Sequence, residues 1–275
     1  MVPELYATES RQLGGGDGKS IRCTRNANGT NYISTVTLFT HGSGCVIAFA
    51  LLENAKASEI GVIRDCIEAY ADIPELPFTL DALHCQKATV AQIVSQQQHY
   101  LIAVKGNQKK LYRVLTDWVA TQPPIDTDEN DDFSHGRRVT RTVSTFSMPP
   151  ELQAEWPNSQ QVLQVTRAGI RDGESFCHQS LYLTDHTLSA HDLRPRVQGH
   201  WEIENRLHWV RDVTFLEDDP PRLGGRAPVN WAILNCWLIN LCRGLGGTTI
   251  PEGVRDLTNR IGKVFELLSF GFSSA

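Results

Sequence analysis

HWEIENRLHWVRDVTFLED, residues 200–218, is the stretch that decides how the chain folds. Its apolar residues recur at spacings of three and four, as on one face of a helix: Ile203, Leu207, Val210 and Val213. Acidic and basic side chains form a second stripe at helical spacing on the other side: His200, Glu204, His208 and Arg211. The pattern therefore predicts one amphipathic helix that carries a charged stripe.

The charged stripe is compatible with three functions. On a surface helix, Glu204 would pair with His208 and Arg211 and stabilise the helix by roughly a few tenths of a kcal/mol. Alternatively, Glu204 binds a metal ion and Arg211 binds phosphate, because a guanidinium fork matches paired phosphate oxygens. A zinc site made by His200, Glu204 and His208 is a third alternative, although the spacing lacks the H-E-x-x-H form. The helix alone leaves all three open.

The composition is that of a globular protein. With 275 residues, 41% of them apolar, the chain can bury the core of one domain, or of one domain with a large insertion. The formal net charge of -5 gives no overall attraction to nucleic acid, so such binding must come from local basic patches. Seven scattered cysteines without a C-x-x-C pair are typical of reduced thiols. The most apolar run, 231–242, is too short to span a bilayer, so we expect a cytoplasmic protein.

Strand and helix patterns alternate through the first half of the chain. Residues 1–16 have no periodic apolar face, and the three glycines that end this leader argue against a regular element just before Asp17. The elements that follow are predicted as a β-hairpin over 32–52, a helix over 57–70, strands at 78–80 and 99–104, and a helix after each strand. Asp81 directly follows the strand at 78–80. This order predicts an α/β fold with a partly parallel sheet.

The second half of the chain is predicted to begin with a loop and a β-rich region. Residues 121–133 are acidic and contain two prolines, which predicts a loop. Alternating patterns then indicate a β-rich insertion over 134–185. Two helices close the chain: 230–243, apolar nearly all round and therefore expected to be buried, and 254–270, with one apolar face. The insertion thus separates a first part, 17–133, from a last part, 186–275.

Three acidic residues are prominent in this framework. Asp17 precedes the hairpin, Asp81 follows a strand, and Glu204 lies on the later helix. Carboxylates of this kind can hold two hard cations about 4 Å apart, one activating a water or hydroxyl and the other stabilising the leaving oxygen of a phosphodiester. Sequence spacing does not itself show that the three side chains converge.

Several phrases of the sequence carry a resemblance to a known family. They are D-G-K at 17–19, T-L-D-A-L-H-C-Q at 79–86, V-K-G-N-Q at 104–108, H-G-R at 135–137, and the stretch 200–218. Together they resemble the DDE-type insertion-sequence transposases, in the branch of the H-repeat-associated (ISAs-like) proteins. The resemblance runs from Asp17 to about residue 245, and it depends on the combination of motifs, since D-G-K or H-G-R alone is a weak signal.

The resemblance implies a fold and a reaction. The implied fold is an RNase H-like mixed sheet flanked by helices, with the β-rich insertion lying before the helix that carries the catalytic glutamate. Asp17, Asp81 and Glu204 would be both catalytic and metal-binding, with Mg²⁺ as cofactor and Mn²⁺ as a substitute. The implied reaction is cleavage of double-stranded DNA at transposon terminal repeats, then attack of the 3'-hydroxyl on target DNA. A homodimer is the possible assembly.

Basic residues extend the expected contact with DNA. Arg211 stands seven positions after the glutamate, where the family has a second basic residue, and we expect it and His208 near the scissile phosphate. Two further groups are candidates for contact with the DNA backbone: Lys105 and Lys109, and, in the insertion, Arg137, Arg138 and Arg141. For the lysines, a solvated helix face is an equal alternative.

Departures from the family pattern define the alternatives. Family members usually carry a further N-terminal region and an apolar strand that runs into the first aspartate, whereas here glycines precede Asp17. We therefore expect a shortened copy, in which Asp17 is not held on a rigid strand. The alternative functions are a catalytically inactive transposase remnant or DNA-binding protein of the same fold, and another metal-dependent nuclease.

Overall fold

The structure is a computed structural model that describes residues 14–24, 32–53, 56–73, 75–134, 137–156, 158–171, 173–245, 249–262 and 264–266. The chain forms two compact units. The first combines Met1–Cys66 with Trp201–Ala275, and the second consists of Ile67–His200. The predicted boundaries at 17–133, 134–185 and 186–275 stay a prediction.

The first unit is built on an antiparallel sheet of three strands. They are β1 (Gly14–Ile21), β2 (Ile33–Thr40) and β3 (Val46–Glu53). β1 pairs with β2 along its whole length, with Asp17 opposite Thr37, and β2 pairs with β3. The predicted hairpin is confirmed. The expectation for Gly14–Gly16 was wrong: these glycines open β1, because the ladder with β2 satisfies their backbone groups and outweighs the conformational cost of glycine.

Helix α1 (Lys56–Glu68) follows this sheet. The segment of residues 200–218 begins in the last turn of α5 (Ala190–Glu202). From there the chain continues as two π-helical segments, Ile203–His208 and Val210–Thr214, which we call the Glu204 helix. Its hydrogen bonds run from residue i+5 to residue i, as from the Trp209 amide to the Glu204 carbonyl. The uniform α-helix predicted over 200–218 was therefore wrong in its pitch.

The wider pitch changes which side chains face inward. Ile203, Leu207 and Val210 are buried as predicted, whereas Val213 is 51% exposed. A turn closed by i+5 bonds holds more residues than an α-helical turn, so a pattern of threes and fours drifts around the axis. The apolar face consequently ends before Val213.

Two closing helices pack around the Glu204 helix, with Ile203 and Leu207 in the shared core. They are α6 (Ala227–Gly244) and α7 (Ile250–Asn259). Two expectations were wrong here. α6 is not buried all round, since four large apolar side chains are exposed: Trp231, Ile233, Leu234 and Trp237. The second helix is interrupted: it ends at Asn259, and after Arg260 residues 261–262 and 264–266 are helical again, with Ile261 and Phe265 exposed.

The second unit contains a mixed sheet. Its strands are β4 (Pro77–Leu80), β5 (His99–Val104), β6 (Asp126–Ser134), β7 (Arg137–Ser147), β8 (Gln161–Arg171) and β9 (Glu174–Thr184). β4 and β5 are parallel, and the order continues as β5-β9-β8-β7-β6 with antiparallel pairs. The helices α2 (Lys87–Ser95), α3 (Lys109–Thr121) and the short α4 (Pro150–Gln153) complete the unit. The predicted mixed α/β class is confirmed.

The acidic segment before the β-rich region is a strand and not the predicted loop. β6 pairs with β7 from Asp126 to Ser134. Its carboxylates meet polar and basic partners across the ladder: Asp131 accepts from Arg138 and Thr140, and Asp132 accepts from Arg141. Such cross-strand pairs offset the low strand propensity of aspartate.

The described residues include no helix that is both long and apolar enough to cross a membrane.

Two helical glycines are expected to respond oppositely to alanine. A Cβ at Gly253 in α7 would lie 2.7 Å from Cys242 Cβ in α6, so Gly253→Ala should destabilise the protein by about 1–3 kcal/mol through overpacking. A Cβ at Gly61 in α1 meets no heavy atom within 4 Å, so Gly61→Ala should stabilise by about 0.5–1 kcal/mol. Denaturant unfolding measures both, and equal stabilisation by the two substitutions would contradict the close packing of α7 on α6.

Candidate functional site

An acidic cluster in the first unit gathers two of the three predicted acids. The ligand atoms of Asp17, Glu204 and His208 all lie within 4.8 Å of one another. His208 Nδ1 is 3.7 Å from Asp17 Oδ2 and 3.5 Å from Glu204 Oε2. His208 is buried and Asp17 half-buried, whereas Glu204 is 68% exposed. The cluster therefore has a buried side and a side open to solvent.

β1 holds Asp17 firmly. The residue lies in mid-strand opposite Thr37, and its Oδ1 accepts a hydrogen bond of 2.8 Å from the Gly18 amide. Two positions on, the buried Lys19 forms an ion pair of 2.6 Å with Asp212 of the Glu204 helix. The expectation that Asp17 lacks a rigid strand was therefore wrong.

Glu59 of α1 is a further acid that the sequence analysis missed. A Cβ added to Gly18 would lie only 2.6 Å from the Glu59 carboxyl carbon, so this carboxylate sits directly against the backbone beside Asp17. Glycine at position 18 therefore makes room for Glu59. No local pattern marks Glu59, because its position depends on how α1 packs.

The surroundings of Asp17 disfavour its charged form. Burial is the largest cause and raises the pKa of Asp17 to about 6, and the negative charges of Glu204 and Glu59 act in the same direction. The His208 ring and the Gly18 amide oppose the rise. Binding of a cation at Asp17 would therefore be coupled to the loss of its proton.

Asp17→Asn should make the metal-free protein more stable, and more so as pH rises. The folded-state pKa of about 6 exceeds the ordinary aspartate value of 3.8, so ionising Asp17 destabilises the folded state, and this stability is lost as pH rises through this interval. The variant should gain about 3 kcal/mol at pH 8 and about half of that at pH 5. Denaturant unfolding in chelator-treated buffer measures this, and a gain independent of pH would contradict the burial of the charge.

Two arginines fix the helix that carries Glu204. Arg206 donates hydrogen bonds to the carbonyls of His41 (2.7 Å) and Gly42 (3.3 Å) in the β2–β3 turn. Arg243 of α6 donates to the carbonyl of Gly44 in the same turn and to that of Arg206. The backbone two residues from Glu204 is thereby tied to both the hairpin and α6.

The structure places the side chain of Arg211, the residue expected to bind phosphate, in the core and not on the Glu204 face. Its side chain is fully buried and forms a bidentate ion pair with Glu217, at 2.8 Å from Nε and 2.6 Å from Nη2. Nη2 also donates to Thr35 Oγ1 at 2.9 Å. The wide pitch of the Glu204 helix turns Arg211 into the core instead of along the Glu204 face.

Asp81 belongs to the second unit, directly after β4. Its Oδ1 accepts a hydrogen bond of 2.9 Å from Lys105 Nζ. Burial raises the pKa of Asp81, but Lys105 and the Ala82 amide outweigh it, so the pKa is lower than usual. His200, also in this unit, lies 3.2 Å from Thr79 Oγ1, and its burial lowers its pKa to about 4. In the first unit, the residue grouped with Glu204 and His208 is Asp17.

The other residues expected to contact DNA have mixed surroundings. Lys105 is paired with Asp81, whereas Lys109 is exposed at the start of α3. Arg138 and Arg141 pair with the β6 acids at 3.0 and 2.8 Å. His135, Gly136 and the side chain of Arg137 lie outside the described residues.

The acidic cluster has the ligands of a divalent cation. Two carboxylates offer hard oxygen ligands, and one imidazole nitrogen lies within reach of both. His208 Nε2 is buried and has no hydrogen-bond partner among the described residues. A cation would offset the repulsion between Asp17 and Glu204, so these residues fit a metal ion.

Asp17, Glu204 and His208 thus form a possible metal-binding group on a mixed α/β scaffold. A protein-family model described as "Transposase DDE domain" matches residues 11–241. The chain belongs to this family, and the resemblance seen in its motifs is confirmed.

Curated relatives agree with the family. The chain is 29% identical over 216 residues to "Putative transposase YncI" of Escherichia coli O157:H7, covering 74% of this chain and 54% of that protein. It is 26% identical over 229 residues to "H repeat-associated putative transposase YhhI" of Escherichia coli K12, covering 78% and 60%. The chain thus spans little more than half the length of these relatives.

Among solved structures, the chain is similar to Ciona intestinalis endonuclease V in complex with a 23mer DNA. The sequence identity is 10% and the TM-score 0.28, over 72% of this chain and 88% of that one. A likeness this distant carries no argument about fold or function.

Proposed function

We propose that the chain is the catalytic part of a DNA transposase, which cleaves phosphodiesters at transposon ends and joins the freed 3'-hydroxyl to target DNA. The observation that carries the proposal is the grouping of Asp17, Glu204 and His208 in a chain of the DDE family. Asp81 completes the proposed catalytic set on the strength of its motif and its place at the end of a strand.

In this proposal Asp17, Asp81 and Glu204 hold Mg²⁺, for which Mn²⁺ substitutes. Bound divalent ions supply an activated water or hydroxyl and neutralise charge on the leaving oxygen. The chain's own groups position these ions: β1 fixes Asp17, while Arg206 and Arg243 fix the backbone next to Glu204. His208 Nδ1 lies 3.7 Å from Asp17 Oδ2 and 3.5 Å from Glu204 Oε2, on the buried side of the cluster, where it would help to hold an ion between the two carboxylates.

Double-stranded DNA is the proposed partner, and a homodimer the proposed assembly. Among the lysines, Lys109 supports contact with phosphate best, because it is exposed at the start of α3. Arg138 and Arg141 already pair with Asp131 and Asp132, which offsets part of the positive charge that they could offer to DNA. Arg211 has no place in the proposal, since Glu217 already neutralises it in the core.

One observation favours a second candidate, an inactive DNA-binding remnant of the same fold. The Lys105 ammonium holds one oxygen of Asp81 at 2.9 Å, so a metal ion must displace it. If that exchange is unfavourable, Asp81 cannot serve as a metal ligand. A DNA-cleavage assay separates the two candidates.

Nicking of supercoiled plasmid tests the proposal. The wild-type chain with Mg²⁺ or Mn²⁺ should produce open circles, and chelator should stop the reaction. Asp81→Asn should lower the rate at least about 100-fold, because loss even of groups that only support a metal ligand costs 10–100-fold. The matched control is Asp117→Asn, an exposed aspartate of α3, which should cleave like the wild type.

Three outcomes are decisive. Nicking that survives Asp117→Asn but not Asp81→Asn supports the proposed catalytic set. Unchanged nicking by Asp81→Asn would remove Asp81 from it. No nicking by a folded wild-type chain with either metal, together with retained binding of plasmid DNA, would support the remnant.

A further inference from the structure

A second cluster of metal-ligating side chains lies in the second unit. It joins the amino end of β5 to the carboxyl end of β9, and its ligand atoms from His99, Asp185 and His186 lie within 4.8 Å of one another. His99 Nδ1 is 2.8 Å from Asp185 Oδ2, and His99 Nε2 is 2.8 Å from Glu75 Oε2. None of these four residues belongs to the motifs of the family resemblance.

The two imidazoles are arranged as a pair. The ring centroids of His99 and His186 are 4.1 Å apart, with the planes tilted by 32°. His186 Nε2 is buried and has no hydrogen-bond partner in the described part of the chain. A buried imidazole nitrogen without a partner costs free energy, and a metal ion nearby would give it one.

The backbone holds the cluster in place before any ligand binds. Asp185 Oδ1 accepts a hydrogen bond of 2.9 Å from the Tyr100 amide, which leaves Oδ2 directed at His99. The His186 amide donates to Thr184 Oγ1 at 3.2 Å, and that hydroxyl donates to the Tyr100 carbonyl at 2.7 Å. Supporting bonds of this kind orient metal ligands.

We propose that His99, Asp185 and His186 bind a zinc-type transition metal, with Glu75 supporting the His99 ring. Two imidazoles with a carboxylate suit zinc, whereas Mg²⁺ prefers an all-oxygen shell. Ligand atoms about 2.0–2.1 Å from a tetrahedral zinc ion lie about 3.4 Å apart. The ligand atoms of His99, Asp185 and His186 are at most 4.8 Å apart, so the widest distance between them must contract by at most about 1.4 Å. Glu75 Oε2 lies 2.8 Å from His99 Nε2, whereas Asp185 faces Nδ1 on the other side of the ring, so Glu75 orients the imidazole and is not itself a ligand.

The bound metal would be structural. It would link the start of β5 to the residues that follow β9, where the β-rich region returns to the rest of the unit. A metal that binds only the folded state stabilises it in proportion to its affinity. Zinc is therefore expected to raise the melting temperature without any DNA present.

Cobalt substitution tests the site in the 275-residue chain. Metal-free protein carrying Glu204→Gln, which weakens the other cluster, is titrated with Co²⁺ and then Zn²⁺. We expect one Co²⁺ with the intense visible absorption of tetrahedral coordination, displaced by one equivalent of Zn²⁺. His186→Ala in the same background should weaken Zn²⁺ binding at least about 100-fold. The control is His191→Ala, an exposed histidine that pairs with Asp128.

Circular dichroism in chelator establishes that the His186→Ala variant is folded. If that variant does not fold, Asp185→Asn replaces it, because the amide oxygen can still accept from the Tyr100 amide. Weak octahedral Co²⁺ spectra, or equal Zn²⁺ affinity in the His186 and His191 variants, would overturn the proposal. Neither result bears on DNA cleavage, which depends on the other cluster.

Discussion

Glu204→Gln is expected to abolish metal-dependent DNA nicking while leaving the fold intact. Its carboxylate is 68% exposed, so glutamine leaves no buried charge unpaired and keeps the shape of the side chain. It removes one of the two hard oxygen ligands that face His208. We expect a rate loss of at least about 100-fold and a melting temperature within about 2 °C of the wild type.

The experiment compares three purified chains under the same conditions. Wild type, Glu204→Gln and the control Glu151→Gln, an exposed glutamate of α4, are assayed for nicking, for Mn²⁺ affinity by calorimetry and for melting temperature. The variant should lose both nicking and Mn²⁺ affinity. A large fall in melting temperature would show that Glu204 is structural, and nicking within tenfold of the wild type would exclude it as a metal ligand.

Glu217→Ala should be the most destabilising of the substitutions considered. It would leave the Arg211 guanidinium fully buried, with the Thr35 hydroxyl 2.9 Å from Nη2 as its hydrogen-bond partner among the described side chains and the Phe49 ring centroid 5.9 Å away. Breaking a buried ion pair by removing one partner costs about 3–5 kcal/mol. For a chain of this size the melting temperature should fall by roughly 6–20 °C.

Two controls separate the cost of leaving the Arg211 charge buried and unpaired from the cost of breaking any ion pair. The double substitution Arg211→Met with Glu217→Leu removes both charges and should recover most of the lost stability, because an apolar pair can replace a buried ion pair. Asp256→Asn breaks the exposed Arg260–Asp256 pair and should cost less than about 1 kcal/mol. If Glu217→Ala costs no more than Asp256→Asn, the ion pair is not closed in solution.

The sequence predicted most elements whose patterns are local. The hairpin of β2 and β3, the strands β4 and β5 and the helix after each follow directly from alternation and helical spacing. β6 was not predicted because its stability comes from its pairing with β7. Its acidic sequence is typical of a loop, and only the arginines opposite it on β7, Arg138 and Arg141, make a strand favourable. For such segments, residues distant in sequence determine whether a strand forms.

For the candidate site, Glu204 and His208 were found by their spacing of four, which the π-helical pitch leaves within reach of each other. Asp17 was found by its place before the hairpin and by the family resemblance, whereas its own strand was not predicted because three glycines precede it. Glu59 gave no signal, since its place beside Asp17 depends on packing. Arg211 was misplaced because a helical projection at 3.6 residues per turn puts it on the Glu204 face.

The pitch of the Glu204 helix also separates two tasks that one short segment performs. With bonds that run from i+5 to i, Glu204 reaches solvent while Arg211, seven positions later, lies wholly inside. Hydrogen-bond spacing sets the angle between them, so substituting either side chain leaves that angle unchanged. Deleting one residue between Glu204 and Arg211 would instead rotate the two side chains relative to each other. Such a deletion would disturb the acidic cluster and the core together, which a substitution of either side chain does not do.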